Sequence, residues 1–404
     1  MISRFAGLCL ALASFQAQAS EHWSFENRIS VSGSPVDAVY HHLDGAGRKH
    51  IAASTDSVAV IWEDNRSQAP QIYVTQKSYA QESFPVALPV SSGSEAYEPA
   101  IDALSDNRFV LAFEQDGAIF ARVLSAEGLA EPARLSQTAA SHVSIASLDD
   151  RVFASWRERD KGRWFVKVAA LSITDDNRIL LESSRPIEVE GLETPVLFPA
   201  IAVNEAGLCV AWEDRRAGHT RLLFSHSADA ARSFGEPQSL NEFLSNRTEY
   251  DRGNGVTRVS LASFGADEIL AAWMDKRRGG LGYGIFAALG DGESFGPNEK
   301  VHGEEGDAQP HYNPATAGSR TGDFVVAWDD FRRGDSDIWV SSYNEDLEWS
   351  HDYAPAVASG DGEQSHPAIA LDEQRNLHLL WIERNQLDGP SRLWYSLGRT
   401  RQQP

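Results

Sequence analysis

Seven times along the chain a short, mostly apolar run ends in an aromatic residue and passes at once into a polar turn that usually carries both acidic and basic residues. The copies occupy 58–66, 109–117, 152–160, 208–216, 269–277, 324–332 and 377–385, and their aromatic anchors are Trp62, Phe113, Trp156, Trp212, Trp273, Trp328 and Trp381. Consecutive anchors lie 51, 43, 56, 61, 55 and 53 residues apart, a spacing too regular for unrelated strands. A small, apolar segment such as Glu98-Pro99-Ala100-Ile101 precedes each run, and a β-rich one such as Ile72-Tyr73-Val74 follows it. Most units close with a fourth short run, for example Pro237-Gln238-Ser239-Leu240, and no stretch shows helical periodicity. Four short strands repeated at this period predict the blade of a β-propeller, a unit that buries its faces only by stacking on its neighbours. The expected fold is all-β, a seven-bladed propeller of four-stranded blades.

The two ends of the chain add to this. The last unit stops shortly after Tyr395-Ser396-Leu397 without a fourth strand, whereas a spare strand from Trp23 to Val31 precedes the first unit. The N-terminal strand is therefore expected to complete the last blade, which would close the ring and remove its open edges. A single domain over 20–404 then replaces the two or three that 404 residues would otherwise suggest.

Composition narrows the partners. With 36 Lys and Arg against 58 Asp and Glu the net charge is −22, a field that repels phosphate backbones and excludes nucleic acid as the expected partner. Residues 1–19 read as a signal peptide: Arg4, an apolar stretch from Phe5 to Ala13, and the small-x-small pattern Ala17-Gln18-Ala19 before the expected cleavage point. Export to the periplasm or the exterior follows as an expectation. No other stretch approaches a membrane span. Cleavage would remove Cys9 and leave Cys209 alone, so no intramolecular disulfide is expected and stability must come from packing and closure.

The segment Ser227-Ala228-Asp229-Ala230-Ala231-Arg232-Ser233-Phe234 resembles the Asp-box, or BNR repeat, of the sialidase-like superfamily, Ser-x-Asp-x-Gly-x-Thr-Trp, with Ala231 in place of Gly and Phe234 in place of Trp. Degenerate copies stand at Asp291-Gly292-Glu293-Ser294-Phe295 and from Ser342 to Trp349. The resemblance implies a propeller in which this turn is structural and lies on the face opposite the active site. It does not imply the sialidase reaction, because the Phe-Arg-Ile-Pro motif that carries the family's first substrate arginine is missing and the repeat count is seven, not six.

In a blade of antiparallel strands the turn between strands two and three shares a rim with the loop entering the next blade. That top rim collects Asp64/Arg66, Asp214/Arg216, Asp275/Arg277 and Asp330/Arg332, whose repetition reads as a brace for the turn. Positions where the units differ carry more information. Aligned inner strands place His50, Glu98, His142, Phe198, Arg258, Asn313 and His366 at the mouth of the central channel. Of these, His50, His142, His366 and Glu98 fall in consecutive blades and form an arc suited to one divalent transition metal, or, without metal, part of a polar ligand pocket.

Two long interblade loops border that mouth. One supplies Glu249, Tyr250 and Asp251 as candidate catalytic groups, with Arg252 and Arg258 as candidate clamps for an acidic sugar. The other, 301–313, holds His302, Glu304, Glu305, Asp307, His311 and Tyr312; Tyr312 and Asn313 are candidate ligand contacts, and calcium is a lesser option. The function expected from these features is an exported β-propeller that binds a glycan or a partner protein at the channel mouth. Alternatives are a glycan-active hydrolase or lyase, and a periplasmic metal-holding protein.

Overall fold

The computed structural model describes residues 22–33, 38–43, 45, 47–93, 95–187, 191–242, 255–277, 282–343, 348–386 and 388–401. The described strands form seven antiparallel sheets in chain order, one per repeat. The strand that ends in the anchor is second in its sheet, at Ser57–Asp64, Phe109–Gln115, Arg151–Asp160, Leu208–Asp214, Glu268–Asp275, Phe324–Arg333 and Leu377–Arg384. We number the blades 1–7 in that order. Among the described residues blade 6 has three strands, and the isolated bridges Val340–Tyr353 and Tyr343–Trp349 mark its outer edge.

Seven hydrophobic cores lie between the sheets, one for each pair of neighbouring blades, including the pair formed by blades 7 and 1. Each anchor packs into the core its blade shares with the preceding one: Trp62 with blade 7, Phe113 with blade 1, Trp156 with blade 2, and so on to Trp381 with blade 6. The period of the sequence is therefore the period of the interfaces. Burying one such ring contributes about 3 kcal/mol, judged by the cost of truncating it.

The N-terminal residues lie at the outer edge of blade 7. Trp23–Phe25 pairs with Thr400, Arg399 and Gly398, and Ile29–Ser30 pairs with Tyr395 and Trp394. Gly398 is needed there, because a Cβ on it would meet the Trp23 Cβ at 2.9 Å. Arg28 adds an ion pair to Glu383 and lies over the Trp394 ring at 4.5 Å.

Candidate functional site

One backbone feature builds the channel mouth. In blades 2–7 the inner strand carries a bulge of two residues opposite the single anchor aromatic, and the first bulge residue has a left-handed backbone. Those residues are Glu98, His142, Phe198, Arg258, Asn313 and His366, with φ of 51°, 58°, 50°, 57°, 53° and 55°. Such angles are costly for residues with a Cβ and concentrate at functional positions, and bulges re-aim side chains. The N–H groups of Glu98, His142, Phe198, Arg258 and His366 are gripped by the preceding blade. Glu63 accepts from Glu98 N at 3.3 Å, Glu114 from His142 N, Glu213 from Arg258 N at 3.0 Å and Asp329 from His366 N at 2.8 Å; His142 Nδ1 accepts from Phe198 N at 3.1 Å.

Several side chains predicted for the mouth do meet. His142 stacks on Phe198 with centroids 4.2 Å apart and planes 2° from parallel, and Arg258 donates to Asn313 Oδ1 at 2.7 Å. Tyr312, one residue before the bulge, packs edge-on against Tyr283 and Phe331.

His50 is placed differently from its expected position. Ile61 N donates to the His50 carbonyl at 2.9 Å, so His50 sits opposite the residue before the anchor, where the other blades have Ala100, Ser144, Ala200, Ser260, Ala315 and Ala368. It is buried, and its Nδ1 lies 3.3 Å from the Ile61 carbonyl. The cause is an insertion: blade 1 pairs His42 with Glu63 and next places His50 opposite Ile61, so 43–49 stands where the other blades have the two-residue bulge. Among the described residues no group of three His, Cys, Asp or Glu is placed to hold a metal ion.

The insertion is a tongue laid into the central channel. A Cβ on Gly47 would meet Ala200 of blade 4 and the Val259 carbonyl of blade 5, both at 2.6 Å, and one on Gly45 would meet Asn313 of blade 6 at 2.7 Å. Ser144 of blade 3 donates to the Gly47 carbonyl at 3.2 Å. On the blade 2 side, Lys49 pairs with Asp102 at 3.1 Å, and Arg48, its side chain 1% exposed, pairs with Glu98. Arg48 also faces the Phe198 ring at 6.0 Å.

From this plugged mouth a cleft of about 400 Å³ runs outward between blades 2 and 3. It is lined by Glu95, Tyr97 and the 114–117 turn of blade 2 and by Ala139–Ser141 and Trp164 of blade 3. Blade 3 supplies the wall because its second and third strands run on to Asp160 and from Arg163. Arg157 and Arg159 lie over the Trp164 ring at 4.7 and 5.5 Å, and Arg157 Nε donates to Ser141 Oγ at 2.6 Å. Glu114 joins cleft to mouth. Burial, then the negative charge of Glu98, pushes the Glu114 carboxyl up to about 9, against the opposing pull of Arg48.

The turn acids are a different population. Trp62 Nε1 donates to Asp64 at 2.7 Å, and Arg66 N and Nε donate to the same carboxylate at 2.8–3.0 Å. Asp275 and Asp330 repeat this with Trp273/Arg277 and Trp328/Arg332, Asp214 takes Arg216, and Glu158 takes Trp156 Nε1. They brace turns.

On the strand 3–4 side, Asp229 accepts from Arg232 N, Ser233 N and both the Ser227 and Ser233 hydroxyls, bonds that hold its carboxyl down to about 2. Ala231 adopts φ 63° where the Asp-box has Gly. In the 301–313 loop, Lys300 takes Asp307 at 2.9 Å, and the His302 ring lies against the His311 ring, centroids 4.1 Å apart and planes tilted by 44°. The candidates Glu249, Tyr250, Asp251 and Arg252, like the signal peptide, lie outside the described residues.

No family model and no curated sequence matches the chain. Solved structures do: the polysaccharide lyase Uly1 superposes with a TM-score of 0.58 at 9% identity, over 93% of this chain and 100% of that one. The likeness is one of fold. A protein of unknown function from Dyadobacter fermentans gives 0.57 at 11% identity, over 94% and 100%. The GH93 α-L-arabinofuranosidase of Fusarium graminearum, solved with arabinobiose, gives 0.52 at 11%, over 93% and 98%. Among the described residues no helix is long and apolar enough to cross a membrane.

Arg48, Glu114 and Trp164 are absent from the residues expected on sequence grounds. Each left a signal. Gly45-Ala46-Gly47-Arg48-Lys49 interrupts the first inner strand, the second unit alone has Phe where the others have Trp, and in the third unit Lys161-Gly162 reads as a tight turn between strands that run on to it.

Proposed function

We propose that this chain is an exported propeller that binds a glycan on its top face, in the cleft between blades 2 and 3. The observation that carries the reading is the cleft itself: about 400 Å³, with aromatic faces from Tyr97 and Trp164 and hydrogen-bonding groups from Ser141, Gln115 and Glu114. Sugars present apolar C–H faces and rims of hydroxyls, and a groove with this mixture suits both. Two propellers with the same fold, a polysaccharide lyase and an arabinofuranosidase, support the ligand class.

The test is calorimetric titration of the full chain with arabino-oligosaccharides, galacturonate oligomers and glucosamine oligomers. Trp164→Ala is expected to weaken the best ligand about tenfold, the loss of one stacking face. Absence of binding across the panel, or binding untouched by Trp164→Ala and Tyr97→Ala, would sink the reading. Export is checked by sequencing the N-terminus of the secreted protein, with Ser20 expected first.

A second reading, a glycan-active hydrolase or lyase, draws on the acidic pair at the inner end of the cleft. Yet both carboxyls already have partners, Glu98 the Arg48 guanidinium and Glu114 the His142 N–H. Growth of reducing or unsaturated ends on incubation with a bound polymer would favour the enzyme over the binding module.

A further inference from the structure

The cleft is short for a polymer. At about 400 Å³ it falls at the small end of ligand pockets, so it holds a brief stretch of a polysaccharide and leaves the adjoining sugars outside. Towards the axis the tongue closes the way, with Arg48 buried against Glu98. Across the crest of blade 2 the surface carries a different signal. Among the described residues, the Phe, Trp and Tyr side chains that are more than a third exposed are Tyr97 on that crest, at 37%, and Tyr40 on blade 1, at 42%. The other large apolar groups this exposed, Val86, Leu88, Leu180 and Leu181, are aliphatic and lie at the outer edges of blades 1 and 3.

Tyr40 stands on the side of blade 1 that looks towards the crest. His42 pairs with Glu63, and Glu63 is two residues from Ile61, which packs in the core between blades 1 and 2, so strand alternation turns Glu63 and His42 towards blade 2. Tyr40, two residues before His42 and tied by its N–H to Asn65 Oδ1 at 2.8 Å, falls on the same side. Glu63 bridges the step between the blades: it accepts from Glu98 N at 3.3 Å and lies 3.5 Å from Nδ1 of His42, whose ring is half exposed. On the crest, Tyr97 is steadied by its hydroxyl, which donates to Glu95 at 2.5 Å.

We propose that the glycan site runs on from the cleft, over Tyr97, to a second aromatic subsite at Tyr40 and His42, so that the ligand is an oligomer longer than the cleft, laid across blades 3, 2 and 1. The inference rests on the glycan reading and adds the length of its ligand. Trp164, Tyr97 and Tyr40 then offer one apolar face from each of three adjoining blades, and the carboxylates of Glu95 and Asp116 between them accept sugar hydroxyls. A phenol ring on an exposed rim keeps apolar area in water without serving the core, whereas stacking on a sugar face covers it. A second contact on the same ligand molecule adds affinity with no change in the cleft itself.

The test is a length series of the arabino-, galacturonate and glucosamine oligomers, from the disaccharide upward, titrated into the full chain and its variants. Affinity should rise with length beyond the shortest oligomer that binds. Tyr40→Ala, a change to an exposed side chain, should cost the long oligomers about tenfold and the shortest nothing, and Tyr40→Phe should bind as the wild type does. Trp164→Ala should weaken all of them alike. Affinity that is level with length, a Tyr40→Ala that binds every oligomer as the wild type does, or a loss equal at every length overturns the second subsite and leaves the glycan reading intact. A Tyr40→Phe as weak as Tyr40→Ala overturns the stacking contact. Failure of every oligomer to bind removes the glycan reading and the second subsite with it.

Discussion

Asp329 and Asp330 are neighbours on one strand of blade 6, and the fold uses them in opposite ways. Asp330 points into the turn brace, where burial alone would raise its carboxyl but the bonds from His311 and Arg332 outweigh it and hold the group well below the usual range. Asp329 points to the channel side and grips the His366 N–H and the Asn313 amide; burial dominates those bonds and pushes it up to about 8. A strand turns successive side chains to opposite faces, so a single step along the chain separates an obligate anion from a carboxyl that keeps its proton. Every blade with an acidic pair after its anchor offers this choice. The lesson is that acidity counted along a sequence says little about charge at a site.

Breaking the brace should have the largest effect. Asp330→Ala leaves the Arg332 guanidinium and the Trp328 indole without their shared acceptor, and a loss of about 3 kcal/mol is expected in urea denaturation. Asp329→Asn should instead show itself through pH. The folded carboxyl is raised from 3.8 to about 8, so its contribution is complete below 3.8 and is lost as pH rises through about 8. Denaturation at stepped pH should therefore find Asp329→Asn gaining on the wild type between those limits; parallel curves would contradict the assignment.

The brace side has the reverse dependence. His302, its ring against the His311 that contacts Asp330, is lowered from 6.5 to about 3 by burial and then by the His311 charge. Its contribution is complete above 6.5 and is lost as pH falls towards about 3. His302→Gln should flatten the acid limb and leave the alkaline limb alone. The smallest effect is expected for His366→Gly, which keeps the N–H that Asp329 holds and relieves the left-handed backbone. Relief of about 1 kcal/mol is offset by a similar gain in unfolded-chain entropy, so the midpoint should scarcely move.

The ring of blades was legible because each anchor is fixed by an interface and interfaces repeat. For the same reason Glu98, His142, Phe198, Arg258, Asn313 and His366 could be picked out as equivalent positions, although nothing in the sequence announces their left-handed backbone. His50 could not be placed by the same count. A seven-residue tongue in place of a two-residue bulge keeps the hydrophobic period outside it and shifts the register within it. Glu114 and Trp164 escaped notice because their significance lies in partners from another blade, Arg48 of the tongue for Glu114 and the Tyr97 side of blade 2 for Trp164, which no local pattern relates to them.

The tongue also bears on how the chain comes into being. Its glycines need Ala200, Val259 and Asn313 beside them, so the blade that is synthesised first rests on residues made much later. A nascent chain that released blades 1 and 2 alone would leave this loop without its seat and Arg48 without an enclosed channel to lie in. Domains usually fold in the order of their synthesis, and contacts distant in sequence form slowly. Here the first blade made must be among the last to be finished, and the channel mouth exists only once the far side of the ring has arrived.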